Sequence, residues 1–129
     1  MRRDPDLIRK LMLRLEELPI RRGGVVSIVP DDETEIVEGY TPAEIEYHLR
    51  QIDMAGFIIG DRDGRPAGGI SFREFTPAGH DFLDAVRTPE TWAKTKTAAS
   101  RAGGFTLEIL KDAAKAIARG ELHKLGLAL

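Results

Sequence analysis

Three times in this chain a threonine stands directly before a proline, at Thr41-Pro42, Thr76-Pro77 and Thr88-Pro89. A hydroxyl in that place accepts one of the first-turn N–H groups that a helix leaves without a partner, and proline suits the first helical position, where its missing N–H is no loss. Three helix starts are thereby marked. The first is over-determined: Glu44 follows the cap by three residues, as a capping box requires, and Tyr40 and Ile45 flank it as a hydrophobic staple. Ile45, Leu49 and Ile52 recur at helical spacing, with Tyr47 or His48 completing the stripe, and Ala55-Gly56 ends the helix 42–55 as a left-handed C-cap does.

Phe57-Ile58-Ile59 then reads as a strand, Asp61 to Pro66 as a turn and Gly69 to Arg73 as the returning strand, so a β-hairpin follows the helix directly. The helix opened by Thr76-Pro77 takes Phe82, Leu83 and Val86 as its apolar face. The one opened by Thr88-Pro89 is polar apart from Trp92, Ala93 and Ala98-Ala99, and the indole is its expected anchor. Upstream, Asp4 caps and Pro5 begins an amphipathic helix through Leu7, Ile8, Leu11, Met12, Leu15 and Leu18, stopped by Pro19. Between these lie Gly23-Gly24, the β-branched run Val25 to Val29, the turn Pro30-Asp31-Asp32 and the alternating Thr34 to Val37, which together read as a strand or a loose hairpin. A last helix starts near Thr106 with Leu107, Leu110, Ala114 and Ile117 on one side, and a leucine-rich end follows.

The sum is an α+β chain, mainly helical, divided into residues 1–88 and a C-terminal helical extension, 89–129. At 129 residues, 42% hydrophobic and 31% charged, its composition is that of a globular protein rather than of a disordered or membrane chain. No apolar run approaches a membrane span and no signal-peptide core is visible, which places it in the cytoplasm as an expectation. The absence of cysteine removes disulfides, thiolate nucleophiles and thiolate metal sites together.

The net charge of −2 hides an uneven distribution. Residues 1–22 carry seven Arg/Lys against four Asp/Glu, residues 23–88 five against thirteen, and residues 89–129 seven against four. An acidic middle is set between basic ends. Catalytic patterns are missing: Gly23-Gly24, Gly68-Gly69 and Gly103-Gly104 lack the strand-to-helix context of a phosphate loop, and Ser27, Ser71 and Ser100 lack that of a nucleophile elbow. Asp61-Arg62-Asp63-Gly64 fails as a calcium loop because Phe72 stands where a glutamate is needed. His80, Asp81 and Asp84 have no second histidine or glutamate at helical spacing, so a packed or hydrogen-bonded His80 is the plainer reading. No enzyme, cofactor or metal is expected.

The stretch from Tyr47-His48-Leu49 through Ala55-Gly56-Phe57-Ile58, followed by Phe75 to Ala85, resembles the helix-to-wing pattern of bacterial winged-helix regulators. More closely, Arg3-Asp4 with Asp6 to Arg9, Tyr47-His48-Leu49, then Gly79-His80-Asp81-Phe82-Leu83-Asp84 and Trp92 resemble the uncharacterised bacterial and prophage family called domain of unknown function 2513, over residues 1–118. The resemblance implies a winged-helix-like fold and no established activity. Residues 20–40 depart from it, because they read as strand and turn where a regulator has a helix; the helix-turn-helix is degenerate.

Two functional readings remain open. In one the protein is a DNA-binding transcription regulator of phage or bacterial type: Arg2, Arg3, Arg62 and Arg65 meet phosphates of double-stranded DNA, and Arg50 and Gln51 on the helix 42–55 read bases. In the other the scaffold presents an acidic surface, Asp31, Asp32, Glu33, Glu44 and Glu46, to a basic protein partner without binding DNA. Residues 105–129 are a further expected contact, either within the subunit or as a homodimer interface.

Overall fold

The computed structural model describes residues 1–31, 37–61, 66 and 68–126. Its elements run α1 (Pro5–Glu16), β1 (Val26–Ile28), α2 (Pro42–Met54), β2 (Ile58–Ile59), β3 (Ile70–Phe72), β4 (Glu74–Phe75), α3 (Pro77–Ala85), α4 (Pro89–Arg101) and α5 (Leu107–Lys124). The fold is α+β and mainly helical, with small antiparallel sheets. Two compact units are present, Met1–His80 and Asp81–Leu129.

In the first unit α1 and α2 pack together. The i, i+4 and i, i+7 recurrence along α1 buries Leu7, Ile8, Leu11, Met12 and Leu15, while α2 buries Ile45, Leu49 and Ile52. His48, not Tyr47, completes the α2 stripe; it is 1% exposed. Against this pair lie strands whose partners differ from a plain hairpin. The expected returning strand, Gly69 to Arg73, is extended to Phe75 and divided at Arg73: β3 pairs with β1, as Val26 to Phe72 and Ile28 to Ile70, and β4 pairs with β2, as Ile58 to Phe75 and Ile59 to Glu74. At the division the Arg73 N–H donates to the Ile59 carbonyl at 2.7 Å. Glycine permits the close approaches. A Cβ on Gly60 would stand 1.9 Å from the Ser71 carbonyl oxygen, and one on Gly69 would stand 2.1 Å from that of Ile28. The alternation expected over Thr34 to Val37 falls mostly outside the described residues.

In the second unit α4 and α5 pack together as a helical pair. Trp92, Thr95 and Ala99 form the buried face of α4, with Ala93 turned to solvent. Threonine is admissible at position 95 because its hydroxyl donates to the Thr91 carbonyl at 2.8 Å, so no buried donor is left over. On α5 the buried residues are Leu110, Ala113 and Ala114, and the helix continues through Gly120. Lys94 ties the pair, its Nζ lying 3.1 Å from Glu121 and 3.3 Å from Glu90. These contacts raise the Lys94 pKa and lower that of Glu121, in each case chiefly through their shared hydrogen bond.

Candidate nucleic-acid interface

The helix that would enter a groove is α2, and its start is built as the sequence implies. The Thr41 hydroxyl oxygen accepts from the Glu44 N–H at 3.2 Å, while Glu44 Oε1 accepts from the Thr41 N–H at 3.1 Å. Glu44 is therefore engaged with the positive end of its own helix. One turn on, Arg50 Nε lies 2.7 Å from Glu46 Oε1, an i, i+4 ion pair. Arg50 is the sole Lys or Arg of α2, whose carboxylates are Glu44, Glu46 and Asp53. Gln51 beside it is half-buried. The side of α2 that carries Arg50 thus also holds Glu46 and Asp53, and its arginine is already paired along the helix.

Among the described residues, the other expected contacts are Arg2, Arg3 and Asp31. Arg2 and Arg3 are exposed ahead of α1. Asp31 is exposed beyond β1. Arg62, Arg65, Asp32 and Glu33 lie outside the described residues. At the foot of the hairpin, Asp53, Gly56, Ile58, Ile59, Gly60, Asp61 and Ser71 line a cavity of about 190 Å³. Its floor is ordered by the Asp61 N–H, which donates to Ser71 Oγ at 2.9 Å. Sequence reasoning singles out Asp61 as a turn residue and has no signal for this cavity, which depends on α2 meeting both hairpin strands.

A second cluster stands on a residue the sequence marks just as part of a stripe. His48 Nε2 accepts from the Asp4 N–H at 2.7 Å, and its Nδ1 faces the Glu44 carbonyl at the same distance. A carbonyl can accept but not donate, so the proton sits on Nδ1. Asp4 Oδ1 accepts from the Asp6 and Leu7 N–H groups and Oδ2 from the Tyr40 hydroxyl, while Lys10 lies over the Tyr40 ring. Burial and the Asp4 hydrogen bond push the Tyr40 pKa up to about 12. This cluster joins the starts of α1 and α2, and no buried side-chain nitrogen or oxygen in it lacks a hydrogen-bond partner.

His80 is exposed, with its ring edge-on to Phe75 at 5.2 Å between centroids. Asp84 is ion-paired with Arg87 at 2.7 Å. Among the described residues no three His, Cys, Asp or Glu side chains gather as a metal-binding set, and no helix is long and apolar enough to cross a membrane.

These features define a small α+β protein, mainly helical, with small antiparallel sheets. The chain belongs to the family described as hypothetical protein (DUF2513), whose model matches residues 2–105. A protein from Haemophilus influenzae described as uncharacterized is 31% identical over 119 residues, covering 91% of this chain and 95% of that one. No solved structure matches the chain.

Proposed function

We propose that this is a non-enzymatic binding module on a winged-helix scaffold with a degenerate helix-turn-helix, and that it presents the acidic face of α2 to a basic protein partner. The scaffold reading is supported by the order α1, β1, α2, then strands in which β3 pairs back to β1 and β4 to β2. The observation that carries the functional reading is the charge of α2: Glu46 and Asp53 lie on the side of Arg50, which Glu46 already holds. Phosphates approaching that face meet repulsion, whereas Lys or Arg side chains meet attraction.

Fluorescence anisotropy tests this with two labelled probes at low salt, a duplex of random sequence and an Arg/Lys-rich peptide. The peptide is expected to bind, more weakly with added salt and several-fold more weakly to the E46K and D53K variants. The duplex is expected not to bind. The DNA reading draws on exposed Arg2 and Arg3 together with Arg62 and Arg65. Four phosphate contacts would give a log–log salt slope of about −3 to −4. Duplex binding with that slope, lost in R2A/R3A/R62A/R65A, would establish it and overturn the acidic-face reading.

A further inference from the structure

His48 is the one histidine that the fold encloses: it is 1% exposed, whereas His80 and His123 stand in solvent. Both of its ring nitrogens are committed at 2.7 Å. Nδ1 donates to the Glu44 carbonyl one turn back in α2, and Nε2 accepts from the Asp4 N–H, 44 residues away at the start of α1. The second bond ties α2 to the point where exposed Met1, Arg2 and Arg3 join the fold. It exists only while Nε2 keeps its lone pair. A proton there would set two donors against each other and leave a charge in a site that water does not reach.

The surrounding charges decide whether the fold can accommodate that proton. The Asp4 carboxylate is already engaged: Oδ1 accepts from the Asp6 and Leu7 N–H groups and Oδ2 from the Tyr40 hydroxyl. Glu44 Oε1 is taken up by the N–H and the hydroxyl of Thr41. For either carboxylate, a new bond to the imidazolium is offset by one that it loses. Along α1, Asp6 and Glu16 are outnumbered by Arg9, Lys10 and Arg14. β2 and β3, which also pack against α2, carry no ionisable group. Further along α2, Glu46 is paired with Arg50, Asp53 lies more than a turn beyond His48, and the Tyr47 ring meets the imidazole edge-on.

We propose that His48 is an acid-sensitive latch between the start of α1 and the body of α2, closed while its imidazole is neutral and opened by protonation at Nε2. The unfolded chain takes up this proton around the ordinary histidine value of about 6.5. The folded chain takes it up only by giving up the Asp4 bond. The unfolded state thus binds more protons in this range, and stability that is complete above about pH 7 is lost as the pH falls. The latch goes beyond the acidic-face reading and does not depend on which partner α2 binds.

Urea unfolding at about pH 7.5 and about pH 5.5 tests this on the unsubstituted chain and on H48Q, whose amide oxygen can accept from the Asp4 N–H at either pH. From the higher to the lower pH, the unfolding constant of the unsubstituted chain is expected to rise about three- to tenfold more than that of H48Q, tenfold being roughly the limit for one excluded proton. His80 and His123 are present in both proteins and cancel. In NMR spectra of the unsubstituted chain, taken from about pH 7.5 to about pH 4, the Asp4 amide proton is expected downfield while the latch is closed. It should move upfield in step with the His48 ring nitrogens as they take up the proton. Equal pH responses of the two proteins would overturn the proposal, as would an unsubstituted chain that gains stability in acid relative to H48Q. So would a His48 ring that takes up its proton while the Asp4 amide stays in place. The NMR titration needs no substitution, so it decides the matter even where circular dichroism shows that H48Q fails to fold.

Discussion

The Asp4 carboxylate caps α1 by accepting from the Asp6 and Leu7 N–H groups, and its own N–H donates to His48 Nε2. The role of His48 is not legible, because its partner lies 44 residues away and no local pattern encodes that meeting. Replacing His48 with alanine leaves the Asp4 N–H without its acceptor and opens a cavity between the two helix starts. The expected loss is ~2–4 kcal/mol, read by urea unfolding. Tyr40 makes a second, spectroscopic prediction. Its hydroxyl is stabilised in the protonated form, so the associated stability is complete below the ordinary tyrosine pKa of about 10 and is lost as pH rises towards about 12. Because the side chain is partly solvated, that contribution is small, below ~1 kcal/mol. In an alkaline absorbance titration the Y40F variant should lack the step near pH 12, and D4A should move that step down towards about 10. A step unchanged in D4A would show that the carboxylate is not its cause.

At the scale of elements, helix starts were the most legible features, since cap, proline and first-turn carboxylate all lie within four residues of one another. Asp4, Thr41, Thr88 and Thr106 each cap as their positions imply. Strand partners were less so: pairing β1 with β3 spans more than forty residues, and a run of valines does not name its neighbour. Thr76 shows how a local signal acquires a longer reach. Its oxygen accepts from the Gly79 N–H at 3.0 Å while its hydroxyl donates to the Gly56 carbonyl at 2.6 Å, joining the start of α3 to the end of α2. Thr76→Ala is expected to cost about 1–2 kcal/mol and Thr76→Ser much less, because serine keeps both bonds. Gly79 itself is tighter still, for a Cβ there would stand 2.1 Å from the Phe57 carbonyl oxygen. Gly79→Ala must move β2 or the helix start, and a loss of at least ~3 kcal/mol in thermal or urea unfolding is expected. A near-neutral result would mean that the contact opens freely.

For the whole molecule, the charge layout was fully legible, and the i, i+4 spacing of Glu46 and Arg50 already allowed their ion pair. The cavity beside Asp53 and the Asp4–His48–Tyr40 cluster were not legible, since each requires segments distant in sequence to meet. Oligomeric state belongs to this scale. The leucine-rich end leaves Leu122 and Leu125 at 36% and 75% exposure, which is what the expectation of a dimer through residues 105–129 would use. Substituting glutamate at both should change stability little, within about ±0.5 kcal/mol for each exposed position. If α5 is a subunit interface, L122E/L125E loses a concentration-dependent mass that the unsubstituted chain shows in sedimentation velocity, because two carboxylates placed in an apolar contact abolish it. If α5 packs only within its own subunit, the two proteins have the same mass at every concentration. A matched concentration series on the two proteins distinguishes these outcomes without truncating α5, whose removal would uncover the buried face of α4 and confuse a lost interface with a lost fold.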